Sequence, residues 1–414
     1  MAQNKNIIGV LSAVDSTAIH VRQERCAKVR NRNVQCLKCA AACTSGCISL
    51  VDDQLVIDAS KCVGCGTCAT VCPTCALEAR NPTDAQLLET CKAARRGTEV
   101  VIVCEQARRA LEGVLDESRV AQVVCLGRVE ESLVCSLVAE GVSRVRLVCG
   151  RCEHCEQKLG LQTARMVADS ATSLLSAWGS DAQVKVCEDA PAGVLLEGKS
   201  ADEAIEAMDA YFSEERGNEP IRPDAADELA DALGDERIEW QPEAPVDPGR
   251  YFVPLQTAPQ VDDALVRVMK DGTLPHFIPD RRERMLDALA QIGEPTQKTI
   301  KSRLVGCVVI NGGKCSSCRM CATFCPTGAI RKFDNQDGTF GVLHFPADCV
   351  KCGSCRDICK EQAIVLLDDV PANFMLHGTA HRYVMKEPAV QMGGSHQILN
   401  VMRARMPGTN IWER

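Results

Sequence analysis

Cysteine spacing constrains this chain more than any other feature: sixteen of its twenty-seven cysteines fall into two sets of eight, one toward each end. The C-terminal set is Cys315, Cys318, Cys321 and Cys325, the last followed by Pro326, then Cys349, Cys352, Cys355 and Cys359. The N-terminal set is Cys36, Cys39, Cys43 and Cys47, then Cys62, Cys65, Cys68 and Cys72, the last followed by Pro73. A C-x2-C-x2-C-x3-C-P run gives three thiolates to one [4Fe–4S] cluster and its fourth to a neighbouring cluster. Two runs make a reciprocal pair, so two such sets predict four [4Fe–4S] clusters. By that exchange Cys36, Cys39, Cys43 and Cys72 form one group, and Cys62, Cys65, Cys68 and Cys47 the next. The C-terminal groups are Cys315, Cys318, Cys321 and Cys359, then Cys349, Cys352, Cys355 and Cys325. The competing reading of either set is zinc or inert thiols.

The N-terminal set departs from the pattern. Three residues, not two, separate Cys39 from Cys43, and Ile48 rather than proline follows Cys47. Cys26 lies close upstream and could replace one of the eight. Cys75 takes the glycine position of the C-P-T-G-A sequence that Cys325–Ala329 shows intact. Cys26 and Cys75 are read as bystanders.

At 414 residues the chain has room for several domains. A net charge of −8 gives no support for nucleic-acid binding. Metal-type spacings in so long a chain favour reduced thiolates over a disulfide framework, and hence a cytoplasmic compartment. The first twenty residues lack a basic region leading into a long apolar run, and no twin-arginine pair opens the chain. No apolar stretch is long enough to predict a membrane span. No Phe, Tyr or Trp precedes Trp178, so the first two domains must be built from aliphatic side chains and metal. Metal-binding free energy would then serve as folding free energy.

Texture divides the chain further. Residues 1–96 read as the first cysteine module plus a helix over about 84–96, with a hairpin at 48–58 around Asp52-Asp53. Over 97–190, Glu99–Cys104, Val120–Cys125, Val145–Cys149 and Gln183–Cys187 are β-branched runs. Helical stretches at about 106–116, 128–140 and 158–178 separate them, which predicts a parallel sheet covered on both faces. Each strand ends in cysteine, and ligands of open parallel sheets bind at the carboxyl ends of strands. Cys104, Cys125, Cys149 and Cys187 should therefore gather along one edge, joined by Cys152 and Cys155. Residues 191–250 read as an acidic spacer and proline-containing linker, 251–306 as a basic helical segment, 307–365 as the second cysteine module, and 366–414 as a tail that wraps the domain or docks on a partner.

Both ends resemble bacterial-type two-cluster ferredoxin domains. The middle segment resembles the delta (small iron–sulfur) subunit of methyl-viologen-reducing hydrogenases, on Val103-Cys104, on Cys125-Leu126-Gly127-Arg128-Val129-Glu130, and on Leu147-Val148-Cys149 leading to Cys155. The resemblance implies a [2Fe–2S] cluster on Cys104, Cys125, Cys155 and a fourth ligand, Cys149 by strand position or else Cys152. The family spaces its last two cysteines by four residues and pairs cysteines at the first strand, whereas Cys149, Cys152 and Cys155 are three apart and Cys104 stands alone. A [4Fe–4S] cluster, a bare redox dithiol, or zinc on Cys149, Cys152, Cys155 and His154 are the alternatives. Cys91, Cys135, Cys187 and Cys307 are read as core or spare thiols. The expected fold class is multidomain α+β and α/β, two ferredoxin-like modules around a doubly wound parallel sheet. The implied function is an electron-transfer subunit of an anaerobic oxidoreductase complex of hydrogenase, formate dehydrogenase or heterodisulfide-reductase type. Catalysis would rest with partner redox subunits, so no catalytic residue is assigned here. The rival is a reductase acting on a disulfide or small substrate at the middle cysteines.

Overall fold

A computed structural model describes residues 18–155, 157–214, 269, 272–375 and 379–386. The first module is an antiparallel pair, β1 (Ile19–Val21) with β4 (Leu77–Ala79), and an inner hairpin of β2 (Ile48–Val51) and β3 (Gln54–Ile57). Asp52 and Asp53 turn the hairpin, both with positive φ, as a two-residue turn that follows the strand twist requires. The cysteine loops lie between these strands. Ile19, Leu55, Ile57 and Leu77 pack with the cysteines into one aliphatic core that contains no aromatic ring.

Helix α1 (Asp84–Ala94) leads into the central domain. Thr83 and Gln86 cap it reciprocally: Thr83 Oγ1 accepts the Gln86 N–H at 3.2 Å, and Gln86 Oε1 accepts the Thr83 N–H at 2.9 Å. The sheet is fully parallel, in the order β6 (Ala121–Val123), β5 (Glu99–Cys104), β7 (Arg144–Val148), β8 (Gln183–Cys187). Val100–Val103 are all buried, the unbroken apolar run of a strand covered on both faces. The connection from β5 runs one way along the sheet and the next two run back. Right-handed crossovers therefore put α2 (Glu105–Ala110) on one face and α3 (Glu131–Ala139) with α4 (Leu159–Ala177) on the other. Helix α5 (Ala201–Glu214) packs beside α2 through Ala204, Met208 and Phe212, so the start of the acidic segment belongs to this core. The rest of that segment lies outside the described residues.

The second module repeats the plan of the first. An antiparallel pair, β10 (Cys307–Ile310) with β13 (Ile364–Leu367), encloses a hairpin of β11 (Ile330–Asp334) and β12 (Phe340–His344). Two readings of the sequence change here. Of the helical segment foreseen across 251–306, residues 251–268, 270 and 271 lie outside the described residues; α6 (Asp280–Ile292) is helical and stops at Gly293, ahead of Pro295. Residues 299–301 are instead the strand β9 (Thr299–Lys301), paired with β14 (Asp369–Pro371). The stretch after 366 is not an aperiodic tail in its described part: β15 (His381–Val384) adds a third strand to the hairpin. Residues 387–414 lie outside the described residues. The helix foreseen at 106–116 ends at Ala110, and Gly113, with positive φ, turns the chain after it.

Helix α6 lies along α3 and joins the parts of the molecule. Arg281 Nη1 donates to the Ala69 carbonyl of the first module at 2.7 Å. The fully buried Arg282 donates to the carbonyls of Ala347, Pro346 and Leu304 at 2.6, 2.9 and 3.0 Å. Arg281 and Arg284 also meet Arg128 at one carboxylate, Asp84. Among the described residues, no helix is long and apolar enough to cross a membrane.

Candidate metal centres

In the second module, Cys325, Cys349, Cys352 and Cys355 line a single cavity, the group formed when the first run lends its fourth cysteine to the second. Cys315, Cys318 and Cys325 lie within electrostatic reach of Cys321. The loops are wound so that backbone amides face sulfur. Ser317 and Arg319 have positive φ, and the Ser317 N–H donates to Cys315 Sγ at 3.4 Å. The Ala363 N–H donates to Cys359 Sγ at 3.4 Å, as the Ala76 N–H does to Cys72 Sγ at 3.2 Å in the first module. Burial pushes the Cys321 and Cys349 thiols up to about 12 and the Cys352 thiol up to about 11. Thiols this desolvated are protonated unless a cation compensates them, and metal binding supplies that compensation by releasing the protons. Four convergent, reduced thiols with amide donors aimed at them fit a [4Fe–4S] cluster.

In the first module Cys47 stays with Cys62, to which it is hydrogen-bonded, as the sequence reading has it, while Cys26 and Cys43 stand elsewhere. Cys36 and Cys39 face Cys72 as expected, but Cys26 stands with them: it is buried, and each of the three thiols is raised chiefly by burial, with Cys72 adding to the rise. Cys43 lies instead against Cys65 and Cys68, and its Sγ is 3.4 Å from Cys47 Sγ. A hydrogen bond from Cys47 lowers the Cys43 thiol to about 5, and Cys47 is correspondingly raised. Cys75 is buried on the far side of Cys72, beside Arg281, and burial pushes its thiol up to about 12.

Five thiols meet at the carboxyl edge of the parallel sheet. Cys104, Cys125, Cys149, Cys152 and Cys155 line one cavity with Gln106, Leu126, Gln157 and Leu161. Cys104 ends β5 and caps α2, its Sγ accepting the Ala107 N–H at 3.5 Å. Cys155 Sγ accepts the Gln157 N–H at 3.3 Å. A hydrogen bond between Cys152 and Cys149 lowers the Cys149 thiol and, with burial, raises Cys152. Cys187 does not join them. Its backbone carbonyl accepts the Cys149 N–H at 2.9 Å, while its thiol stays at the outer edge of β8. The side chain of His154 lies outside the described residues. Two glycines make room here: a Cβ on Gly160 would collide with Cys125 Sγ, and one on Gly150 would sit 2.5 Å from Phe212 of α5.

These sets form a contiguous row. Cys125 lies within electrostatic reach of Cys65, and the loop carrying Thr67 packs on Gly127 and Gly160. At the other side of the first module, Cys36 lies within reach of Cys352. Ala27, Val34 and Ile358 close that junction, and the Gln35 N–H donates to Asp357 Oδ2 at 3.0 Å. The buried Arg30 faces Cys325 and Cys352 across it.

The sequence raises Cys26 as a possible replacement for one of the eight but, with nine residues between it and Cys36, favours a bystander; it gives no sign of His344 and His381, which meet Cys307 between strands. Only strand register brings the two histidines together. Cys91 and Cys135 are fully buried within the central core, as small apolar side chains.

Residues 314–363 match the family model described as a 4Fe-4S dicluster domain, and residues 55–78 match a 4Fe-4S binding domain. No curated protein is similar enough to the chain to count as a match. Ferredoxin-type 4Fe–4S domains therefore stand at both ends of the chain and indicate an iron–sulfur electron-transfer protein.

Proposed function

We propose that the chain is the iron–sulfur electron-transfer subunit of an anaerobic oxidoreductase complex, with four [4Fe–4S] sites and a fifth, [2Fe–2S] site in the central domain. The observation that carries this reading is the contiguity of five thiol sets, from the sheet edge through the first module to the second. Bound iron–sulfur clusters supply one-electron transfer at each set. The chain's own residues fix the order of the sets, bury about half of the thiols and aim amides at several of their sulfurs. Resemblance of the middle domain to the hydrogenase delta subunit supports partners of hydrogenase, formate dehydrogenase or heterodisulfide-reductase type.

Within the first module the ligand groups we propose are Cys26, Cys36, Cys39 and Cys72, and Cys43, Cys62, Cys65 and Cys68. The three-residue gap before Cys43 supports this: it is the gap that precedes the donated cysteine in the standard run, as it does for Cys72. Cys47, hydrogen-bonded to both Cys43 and Cys62, then supports this group instead of ligating.

The Cys149–Cys152 contact favours one other reading, a reactive dithiol, because a thiol lowered by a neighbouring thiol is the arrangement of disulfide reductases. Anaerobic redox titration of the isolated full chain separates the two. Electron-transfer function predicts stoichiometric, reversible uptake of about one electron per cluster with no turnover of a disulfide. Steady turnover of a disulfide by the chain alone would overturn it in favour of the reductase.

A further inference from the structure

Strand register sets His344, the last residue of β12, directly opposite His381, the first of β15. Directly opposed residues project from the same face, and the two imidazoles stand 6.1 Å apart between centroids. Cys307, at the start of β10, approaches from a separate sheet and brings Sγ to 3.6 Å from His381 Nδ1. One ligand atom from each residue lies within 4.8 Å of the other two. Cys307 and His344 are 3% and 0% exposed. Both ring nitrogens of His344 are buried without a hydrogen-bond partner. A buried nitrogen left without a hydrogen bond is destabilising, and two are left on one ring in a core that could have been filled by leucine.

We propose that Cys307, His344 and His381 bind one zinc-class divalent ion, separate from the iron–sulfur sites. A thiolate with two imidazoles and no carboxylate is the wrong donor set for calcium or magnesium and the right one for zinc. Three protein ligands leave one position of a tetrahedral ion for water or another group. The ring of Phe374 packs edge-on against His381 at 4.8 Å and shields that side. The ion ties β15, and with it the C-terminal part of the chain, to β10 and β12. The site also explains why a thiol and two imidazoles from three strands meet where neither module's cluster ligands reach.

The test uses the full chain, purified anaerobically and exposed to Zn(II), with zinc and iron measured together. About one zinc per chain is expected in the wild-type protein, and zinc-edge X-ray absorption should show one sulfur at about 2.3 Å and two nitrogens at about 2.0–2.1 Å. Cys307→Ser and His381→Asn should each lose this zinc while iron content stays unchanged. Either outcome of two kinds overturns the proposal: a wild-type chain with full iron that takes up no zinc, or zinc that persists in both variants or shows an all-sulfur shell. His344→Leu supplies a second check, because a merely space-filling histidine would tolerate it without change in zinc.

Discussion

Replacing Asp84 with asparagine removes a carboxylate on which three arginines converge, Arg128 at 2.5 Å, Arg284 at 2.8 Å and Arg281 at 3.0 Å. Arg281 would keep the Ala69 carbonyl, and Arg284 would keep Ser132 Oγ and Glu130. Arg128 would keep only the Pro82 carbonyl at 3.2 Å; its side chain is 3% exposed and its Nε and Nη1 already lack partners. The loss is therefore chiefly one uncompensated buried guanidinium. Breaking such a pair from one side costs about 3–5 kcal/mol, and the two arginines that keep partners place Asp84→Asn near 3. The assay is anaerobic urea denaturation of wild type, Asp84→Asn, Arg128→Met and the double variant, followed by circular dichroism. Arg128→Met should rescue part of the Asp84→Asn loss, giving a double variant well short of additive. A loss below about 0.5 kcal/mol for Asp84→Asn, or strictly additive single effects, would refute the reasoning.

The same carboxylate predicts a pH dependence. Burial alone would raise it, but Arg281, Arg128 and Arg284 together hold it well below the usual carboxylate range. Its stabilisation is thus complete above the unfolded value, about 3.9, and is lost as pH falls toward the folded one; Asp84→Asn should lack this component of the acid limb of a stability–pH curve. In the first module, Cys26→Ser should cost about four irons per chain, whereas Cys47→Ser should keep them; equal retention in both, by iron and sulfide analysis, would return Cys26 to a bystander. Gly160→Ala puts a methyl group where Cys125 Sγ lies, so it should empty the central site while leaving cubane iron in place; unchanged EPR signals from that site would count against Cys125 as a ligand.

The parts of the site legible in the sequence were those encoded locally. Runs of cysteine two and three residues apart announce cluster loops, and a β-branched strand ending in cysteine announces the sheet edge where Cys104, Cys125 and Cys149 meet. Local spacing does not choose among the thiols of the first module. Cys47 follows Cys43 closely enough to complete a run of four, and Cys26 is nine residues from Cys36, yet Cys26 joins Cys36 and Cys39 beside Cys72. Cross-strand sites leave no local trace. His344 and His381 are separated by a stretch with no shared pattern, and only the pairing of β12 with β15 makes them neighbours. The sequence marks 251–306 only as a basic helical segment, whereas in α6 Arg282 is buried, Arg281 is 12% exposed, and the two reach carbonyls of both modules. A charge pattern cannot say which face will be covered when the covering surface lies some 200 residues away in sequence.

The central claim, that the thiol sets of this chain hold a contiguous series of iron–sulfur clusters, is tested most directly by counting iron and acid-labile sulfide on the anaerobically purified full chain together with Mössbauer spectroscopy. The account predicts about sixteen irons in [4Fe–4S] form and about two more in a distinct environment at the central site. About eight cubane irons, as with the first module empty, or no iron beyond the cubanes at the sheet edge, would contradict it.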